Sequence, residues 1–266
     1  MATFSVITPV LNGARFIGAA IDSVTAQSNT DWEMIVVDGA STDDTAKIVA
    51  DKSSGDKRIR LLSEPDQGMY DALLKGVDAA QGEWICWLNS DDLYTPWAFS
   101  SLAAAAQKDS PQWVSGYPAC WDEHGGLRYV RPLGAYSQKK IAAGWHHQNL
   151  LGNLQQESIF FRRSLFEKLE AEQRERIRAM RLAGDFLLWR FFAEHAPLMV
   201  IPTVLGGFRR HQENMSAQQH EAYMAEVLST DPFTLPAPLS RLTGYAYRLL
   251  AARAAIRLSA EADKSF

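Results

Sequence analysis

A short apolar segment that ends in acidic residues constrains the fold of this chain more than any other feature. Residues 84–88 (WICWL) are apolar and are followed at once by Asn89-Ser-Asp-Asp92. An apolar run of this length is typical of a strand buried on both faces of a sheet. In open α/β sheets, ligands bind beyond the carboxyl ends of the strands. The stretch therefore predicts a buried strand that delivers two carboxylates to a ligand site.

Two interpretations of Asp91 and Asp92 follow from the residues alone. Adjacent carboxylates repel each other, and a divalent cation bound together with phosphate oxygens would relieve that repulsion. Alternatively, the two residues only cap the next helix, which Thr95-Pro96 is expected to begin as N-cap and first helical residue. The motifs described below favour the cation site.

Strands and helices alternate through the first part of the chain. This alternation indicates βαβ units and a mainly parallel sheet. Neither G-x-G-x-x-G nor G-x-x-x-x-G-K-[ST] occurs, so the sequence lacks the dinucleotide fingerprint and the P-loop. A capping box at residues 41–44 is predicted to begin the second helix. The predicted strands are residues 3–9, 33–38, 59–62 and 84–88, and a helix at 95–107 follows them.

Composition and charge narrow the class of protein. The chain has 266 residues, of which 47% are hydrophobic and 22% charged, as in a globular protein with a sizeable core. Its net charge of −4 argues against nucleic acid as a partner. Cys86 and Cys120 are too few for a disulfide framework and fit a reducing compartment. Without signal-peptide features or a run of 18 apolar residues, we expect a cytoplasmic protein.

The regular alternation of strands and helices ends after Pro111. Strand candidates at 113–117 and 127–131 surround a Gly125-Gly126 turn, and the polar segment 137–154 is expected to face substrate. Further on, a strand at 158–161, helices at 164–180 and from about 184, and an edge strand at 198–205 interrupted by Pro202 are predicted. We predict a catalytic domain over 1–230, with a donor-binding half (about 1–110) and an acceptor-binding half (about 111–230). A proline-rich linker and a helix occupy 231–266.

The C-terminal helix is amphipathic. Its apolar stripe is flanked by arginines, and we favour packing of this stripe on the domain over contact with a membrane surface. The stripe contains Leu242, Tyr245, Leu249, Ala252 and Ile256, and the flanking arginines are Arg241, Arg248, Arg253 and Arg257.

The order of carboxylates and turns resembles inverting GT-A-fold glycosyltransferases of family 2, in the branch that builds bacterial surface polysaccharides. The resemblance spans about residues 4–216 and implies a Rossmann-like, mainly parallel twisted sheet flanked by helices, here with a C-terminal helical extension. Each motif alone is weak, but six in the right order are a strong signal. They are Thr8-Pro-Val-Leu-Asn12, Val37-Asp-Gly-Ala-Ser-Thr-Asp43, Glu64-Pro-Asp-Gln-Gly-Met-Tyr-Asp-Ala72, Asn89-Ser-Asp-Asp92, Ala183-Gly-Asp-Phe186 and Phe208-Arg-Arg-His211 to Ser216.

The resemblance implies a binding site for a nucleotide sugar. Asp38 would accept the imide N–H of a uracil ring, since a carboxylate offers only acceptors. The alternative role of Asp38, capping the next helix, is compatible with that one. Asp66 would approach the nucleotide or form an ordinary Pro-Asp turn, and the two interpretations are equally supported. The other residues that the resemblance assigns to this pocket are Thr8, Pro9, Asn12 and Gly68.

The resemblance also implies a metal site for Mn²⁺ or Mg²⁺. Asp92 would be the direct ligand, and Asp91 would contact the ribose or the water shell of the metal. His211 would be a third ligand or a donor to the diphosphate. A lone His is more often structural, but Arg209, Arg210 and His211 together would bind an anion well.

Asp185 would be the general base. It would take the proton of the acceptor hydroxyl as this attacks the anomeric carbon opposite the leaving group. One displacement with one base inverts the anomeric centre. Alternatively, Asp185 only caps the following helix, and both roles can hold at once.

Two residues depart from the family pattern. Asn89 stands where many relatives have Asp, and Leu74 stands where this branch often has Asn. Neither removes the metal ligand or the base, so the sequence predicts an active enzyme that transfers a sugar, with UDP as the expected nucleotide, to a glycan or lipid-linked acceptor. A lipid-linked acceptor would bring the enzyme to the inner face of the membrane.

Two other functions are compatible with parts of the sequence. A non-catalytic nucleotide-sugar-binding protein would keep Asp38 but would not need Asp185. A sugar nucleotidyltransferase usually carries a glycine- and lysine-rich loop after its first strand, which residues 11–15 (LNGAR) match poorly. The sugar, the linkage and the oligomeric state are not encoded in recognisable motifs.

Overall fold

The computed structural model describes residues 3–134, 136–214, 219–236, 239–247 and 249. Its fold is α/β, with a mostly parallel seven-stranded sheet flanked by helices and a second sheet of four strands. This confirms the predicted fold class. The strands are β1 Phe4–Val10, β2 Trp32–Asp38, β3 Ile59–Ser63, β4 Trp84–Trp87, β5 Leu93–Tyr94, β6 Trp113–Ser115, β7 Ala119–Trp121, β8 Leu127–Val130, β9 Ile159–Arg162, β10 Met199–Val200 and β11 Gly206–Arg209. The helices are α1 Ile17–Thr25, α2 Thr45–Gly55, α3 Met69–Ala79, α4 Ala98–Asp109, α5 Gln138–Ala142, α6 Arg163–Phe166, α7 Ala171–Arg178, α8 Gly184–His195 and α9 His220–Ser229, with a 3₁₀ turn at Gln156–Ser158.

The strand order of the main sheet is β10-β6-β9-β4-β1-β2-β3. β1 is parallel to β2 on one side and to β4 on the other, whereas β9 is antiparallel to both of its neighbours. The chain builds β1, β2 and β3 outward in one direction and then returns to add β4 on the other side of β1. The order of strands therefore reverses next to β1, and the crevice at the carboxyl ends of β1 and β4 is the expected ligand site.

Side chains on both faces of the central strands are buried, as the apolar runs predict. In β2, Ile35 and Val37 belong to a core shared with α3 and α8, whereas Met34 and Val36 belong to a core shared with α1 and α4. The same alternation holds in β4. Burial of a large apolar side chain contributes about 1.5–3 kcal/mol, so these strands are firm supports for the loops that leave their carboxyl ends.

The predicted hairpin around Gly125-Gly126 exists, but the prediction of its first strand was wrong. Residues 113–115 form β6 in the main sheet, paired with β9, and the strand that pairs with β8 is β7. Trp113 is fully buried against Trp189, with ring centroids 5.9 Å apart. This burial draws β6 into the main core and leaves the next apolar segment for the hairpin.

Two predicted helix starts are displaced. Thr95 does not cap α4, because its Oγ1 donates to the Val204 carbonyl at 2.9 Å and the helix begins at Ala98. Ser41 does not cap α2 either; its Oγ accepts the amide N–H of Asn12 at 2.8 Å. Both hydroxyls instead form hydrogen bonds between segments that are far apart in the sequence.

The predicted helix at 164–180 is divided in two. α6 ends at Phe166, and α7 begins after Glu170, whose carboxylate forms a capping box with Gln173. Of the strand predicted at 198–205, only β10 forms, and it lies at the edge of the main sheet as Pro202 predicts. Neither β11 nor α9 follows from the sequence patterns described above.

The polar segment 137–154 contains α5 and packs on the C-terminal part of the chain. Trp145 stacks on Phe233 with ring centroids 4.0 Å apart, and His147 Nε2 lies 3.0 Å from the Phe233 carbonyl. His146 contacts the Tyr136 and Tyr247 rings and is buried, which lowers its pKa to about 4. These aromatic residues therefore support the fold, and the orientation of the rest of the segment toward substrate stays a prediction.

Residues 239–247 are helical, which agrees with the C-terminal helix as far as the structure describes it. Leu242, Tyr245 and Leu249 are 66%, 61% and 49% exposed, whereas Gly244 is buried. The preferred prediction, a stripe packed on the domain, was therefore wrong for these three side chains. Ala252, Ile256 and the arginines 248, 253 and 257 lie outside the described residues. Within the described ranges, no helix combines the length and apolar character needed to cross a membrane.

Candidate active site

The carboxyl end of β2 carries a buried carboxylate. Asp38 is fully buried, and its Oδ2 accepts a hydrogen bond from the Ser63 hydroxyl at 2.7 Å. Both of its oxygens lie 3.2–3.3 Å from the backbone nitrogen of Ser41. These contacts fix the carboxylate at the end of the strand, where the sequence analysis expected the nucleotide base.

Asp66 lies close to the same strand end. A Cβ atom added to Gly39 would lie 2.6 Å from Asp66 Oδ2, so the carboxylate of Asp66 packs directly against Gly39. Asp66 Oδ1 accepts the amide N–H of Gly68 at 2.8 Å, and Gly68 has a φ of 125°, which favours glycine. The structure thus brings together the loops after β2 and β3, as the prediction of a common pocket requires.

The loop after β1 completes this side of the crevice. Asn12 has a left-handed φ of 52°, and its Oδ1 accepts the Thr42 amide N–H at 2.9 Å. Pro9 is buried opposite Val37 in the parallel register. Thr8 is fully enclosed within β1, and its Oγ1 has no partner among the described residues. Thr8 therefore supports the pocket from inside the sheet and is not on its surface.

The two adjacent carboxylates after β4 have different surroundings. Asp92 is fully buried, with Oδ1 accepting the Arg209 amide N–H at 2.8 Å and Oδ2 accepting from Asn89 Nδ2 at 3.2 Å. Burial, with the nearby carboxylates of Glu157 and Asp91, raises the pKa of Asp92 well above its usual range. Asp92 fastens the end of β4 to β11, and its expected role as the direct metal ligand stays a prediction.

Asp91 is the carboxylate that faces the other predicted site residues. Its Oδ2 lies 2.9 Å from His211 Nε2 and accepts from Asn214 Nδ2 at 3.2 Å. Asn214 Oδ1 in turn accepts the His211 amide N–H at 2.7 Å, and His211 Nδ1 accepts the Glu213 amide N–H at 3.3 Å, which orients the imidazole. The side chain of Asp91 is 29% exposed and that of His211 4%. Asp91 and His211 therefore form an acid–imidazole pair in which the carboxylate is partly exposed and the imidazole is buried.

The departure at Asn89 is explained by its hydrogen bonds. Its Nδ2 donates to Gln156 Oε1 at 2.9 Å and to Asp92, while its Oδ1 accepts from Trp87 Nε1 at 3.0 Å. A carboxylate has no donor and could not satisfy these two acceptors. The amide thus lets Asp92 stay buried beside Gln156.

Arg209 supplies buried positive charge next to these carboxylates. Its guanidinium lies over the Phe16 ring at 5.1 Å, and the same ring contacts His211 with centroids 4.4 Å apart. Burial lowers the pKa of Arg209, and the carboxylates of Asp92 and Asp91 oppose that shift. Nε and one terminal nitrogen of Arg209 are buried without a hydrogen-bond acceptor among the described residues. Such donors are suited to an anionic ligand.

Asp185 lies in the first turn of α8 and is half-buried. Burial raises its pKa to about 6, and hydrogen bonds from the Phe186 amide and the Tyr70 hydroxyl oppose that shift. The Tyr70 hydroxyl donates to the Leu182 carbonyl at 2.8 Å and lies 3.4 Å from Asp185 Oδ1. A Cβ added to Gly184 would lie 2.7 Å from the Tyr70 ring, so glycine allows the tyrosine to reach this position.

The sequence analysis missed two buried residues in the 3₁₀ turn before β9. Gln156 Nε2 donates to the Trp87 carbonyl at 2.6 Å. Burial raises the pKa of Glu157 to about 7, and repulsion from Asp91 and Asp185 adds to this shift. The sequence feature that could have indicated them is the polar triplet Gln155-Gln-Glu157 directly before an apolar strand. It resembles the polar residues that directly follow the apolar strand β4.

The donor groups that could hold a metal ion are few in the described part of the chain. Across the described ranges, no cluster of three or more His, Cys, Asp and Glu side chains is placed to hold a cation. Asp91 and His211 nevertheless fit one, because Mg²⁺-type ions in phosphate-transferring sites often take one or two protein ligands together with phosphate oxygens. The two residues offer an oxygen and an imidazole nitrogen 2.9 Å apart, beside a buried guanidinium.

The fold is shared with solved glycosyltransferase structures. S. aureus TarS (residues 1–349) in complex with UDP-GlcNAc superposes with a TM-score of 0.63 over 93% of this chain and 71% of that chain, at 17% identity. The mannosyltransferase PcManGT from Pyrobaculum calidifontis, in complex with GDP-Man and Mn²⁺, superposes with a TM-score of 0.62 over 98% of this chain and 75% of that chain, also at 17% identity. At these identities the likeness establishes the GT-A fold.

The sequence match establishes the family. The model of Glycosyl transferase family 2 matches residues 5–169, and the chain belongs to that family. It is 39% identical over 112 residues to a PGL/p-HBAD biosynthesis glycosyltransferase of Mycobacterium bovis, which is 41% of this chain and 43% of that protein. It is 36% identical over 141 residues to an uncharacterized glycosyltransferase of Rickettsia typhi, covering 52% of this chain and 43% of that protein. The matched segments thus span less than half of these relatives.

Proposed function

We propose that this chain is an inverting glycosyltransferase that moves a sugar from a nucleotide sugar to a glycan or lipid-linked acceptor in bacterial polysaccharide biosynthesis. The observation that carries the proposal is the Asp91–His211 pair beside the unpartnered, buried N–H groups of Arg209, because this arrangement suits a diphosphate. The family and the ligands in the titles of the two solved structures, UDP-GlcNAc and GDP-Man, support it.

The nucleotide would lie at the carboxyl ends of β1 and β2. We favour UDP, because Asp38 offers only acceptors and would accept the imide N–H of uracil. Asp66 and Gly68 would border the base, with Pro9 and Asn12 on the β1 side. Thr8 would support the pocket from within β1, beneath these residues.

The diphosphate would lie between Arg209 and the Asp91–His211 pair. Mn²⁺ or Mg²⁺ held by Asp91 and His211 would supply charge neutralisation to the departing nucleoside diphosphate. The Arg209 guanidinium would donate to the phosphate oxygens, since its free N–H groups are already buried there. Asp92 would keep Arg209 in place through the backbone hydrogen bond.

Asp185 would act on the acceptor. As the acceptor oxygen bonds to the anomeric carbon, the bond from that carbon to the diphosphate oxygen breaks, and Asp185 takes the hydroxyl proton. A single displacement on the face opposite the leaving group inverts the anomeric configuration. No nucleophile on the protein is required.

The proposal is tested with a panel of nucleotide sugars that includes UDP-GlcNAc, UDP-glucose and GDP-mannose, each with Mn²⁺. We expect at least one donor to raise the melting temperature and to release its nucleoside diphosphate. Binding without any release, with or without saccharide acceptors, would favour the rival of a non-catalytic binding protein. Formation of a nucleotide sugar from a nucleoside triphosphate and a sugar phosphate would favour the nucleotidyltransferase.

The pKa of Asp185 predicts the pH profile of turnover. A base works only when deprotonated, and burial raises its pKa to about 6. We therefore expect kcat to fall about tenfold for each pH unit below 6 and to level off above that value. The measurement is the initial rate of nucleoside diphosphate release between pH 4.5 and 8 at saturating donor. A profile that stays flat through pH 5 would contradict a carboxylate base with this pKa.

We further propose that the exposed C-terminal stripe contacts the inner face of the membrane, where a lipid-linked acceptor would be found. Three described apolar side chains of the stripe are exposed, and Arg241 lies exposed beside them. Apolar side chains can enter the interface while each basic residue near an anionic surface contributes about 1 kcal/mol.

The double variant Leu242→Ser, Tyr245→Ser is expected to lose most binding to phosphatidylcholine vesicles that contain phosphatidylglycerol, as measured by cosedimentation. Leu127→Ser is the matched control, because Leu127 is 55% exposed on β8, outside the C-terminal helix. Its binding should equal that of the unmodified chain and weaken in high salt. Equal binding by the double variant and the control would exclude this surface as the membrane contact.

A further inference from the structure

A carboxylate on α9 binds the backbone immediately before Asp185. Glu226 Oε2 accepts the amide N–H groups of Leu182 and Ala183, both at 2.8 Å, and Oε1 accepts that of Arg181 at 3.1 Å. Ala183 is the residue before the first turn of α8. Amides at a helix N-terminus lack partners within the helix and carry partial positive charge, so a carboxylate is a favourable partner for them.

A second set of contacts joins α9 to α8. Arg190 Nη1 donates to the carbonyl and the hydroxyl oxygen of Thr230 at 2.7 and 3.0 Å. Between the two polar contacts, Phe186 packs in one small apolar cluster with Met224 and Val227. α9 is thus attached along α8 at two places, and Glu226 is the attachment nearest to Asp185.

The segment held by Glu226 is also the segment that orients Tyr70. The amide of Leu182 donates to Glu226, and the carbonyl of Leu182 accepts from the Tyr70 hydroxyl at 2.8 Å. That hydroxyl lies 3.4 Å from Asp185 Oδ1. A shift of this short segment would therefore move both the base and the hydroxyl beside it.

We infer that Glu226 is a positioning residue for Asp185: it holds residues 181–183 so that the carboxylate and the Tyr70 hydroxyl stay in register with the acceptor. The inference rests on the proposed role of Asp185 as the base. The sequence could not indicate it, because Glu226 lies in a helix without a recognisable motif, 41 positions beyond the residue that it positions.

Charge gives this role a second effect that can be measured. The groups that face Asp185 are Tyr70 from α3, Tyr223 and Glu226 from α9, and Glu157 from the 3₁₀ turn. Among these, Glu226 raises the pKa of Asp185 through its negative charge. Removal of that charge lowers the pKa of the base.

Glu226→Gln is the test, with Glu221→Gln as the matched control, because Glu221 is an exposed residue of the same helix. The probe reaction is release of nucleoside diphosphate from the most active donor of the panel. We expect kcat of the Glu226 variant to fall about 10- to 100-fold, since small misplacement of a reacting group costs that much. KM for the donor should stay unchanged, and the acid limb of the pH profile should move to lower pH. The control should match the unmodified enzyme.

A double variant separates positioning from general stabilisation. If Glu226 acts through Asp185, adding Glu226→Gln to Asp185→Asn lowers kcat no further, whereas independent effects would multiply. Multiplied losses, or an unchanged pH profile in the single variant, would overturn the inference. Should Glu226→Gln not fold, Glu226→Asp keeps the charge with a shorter reach and should lower kcat without moving the acid limb. Full activity of Asp185→Asn would instead refute the proposed base.

Discussion

Asp185→Asn is expected to lower kcat by about 10²–10⁴-fold, the usual loss when a general base is removed. Asparagine keeps the shape of the side chain and can still accept a hydrogen bond from the Tyr70 hydroxyl, but it cannot take the acceptor proton. Because the donor would be bound by residues of β1, β2, β4 and β11, its affinity should change little. The measurements are the steady-state rate of transfer and the affinity for the donor by calorimetry.

Glu194→Gln is the matched control for this variant. Glu194 lies exposed in α8, the helix that carries Asp185, and the substitution makes the same change of charge. It should leave kcat unchanged. If Asp185→Asn instead abolishes donor binding while kcat at saturation stays high, Asp185 serves the nucleotide or the fold and the proposed base is wrong.

Asp91→Asn is expected to lower Mn²⁺-dependent turnover by about 10²–10³-fold, because a cation on the departing diphosphate contributes several kcal/mol. The amide is neutral and would bind Mn²⁺ poorly. Calorimetric titration of Mn²⁺ in the presence of UDP provides a measurement independent of turnover, and the affinity for Mn²⁺ should fall together with the rate.

Asp92→Asn separates the two neighbouring carboxylates. Asp92 is buried and hydrogen-bonded to the backbone of Arg209 and to Asn89, so its replacement would place two amide NH₂ groups against each other or unpair the Arg209 amide. Loss of a buried hydrogen bond of this kind costs about 1–3 kcal/mol. We expect a lower melting temperature with the affinity for Mn²⁺ retained. The reverse pattern, in which Asp92→Asn loses Mn²⁺ and Asp91→Asn keeps it, would identify Asp92 as the ligand, as the sequence predicts.

The strands that support the site could be predicted because their signal is local. β1, β2 and β4 are apolar runs buried on both faces, and each ends near a polar residue that marks the carboxyl edge of the sheet. Family motifs then predicted the residues of the site, among them Asp38, Asp91, Asp185 and His211. These features need only the periodicity of burial and the order of residues along the chain.

The different surroundings of Asp91 and Asp92 could not be predicted in the same way. Adjacent residues of a turn differ in what they face, and here the difference arises from β11, which pairs with β5 and delivers the Arg209 amide to Asp92. β11 itself was missed, since residues 206–209 contain two glycines and two polar or aromatic neighbours without a clear alternation. The pairing of two strands far apart in the sequence therefore determines which of the two carboxylates is buried.

The antiparallel pairing of β5 with β11 also has a consequence for folding. It joins residues 93–94 to residues 206–207, more than a hundred positions apart, and it carries Arg209 and His211 to the end of β4. Contacts so distant in sequence form only after much of the intervening chain is ordered, because loop closure must precede them. The proposed diphosphate site is therefore a late product of folding. Unfolding of β11 and the residues that follow it would remove both the Arg209 guanidinium and the His211 imidazole from the proposed site in one event.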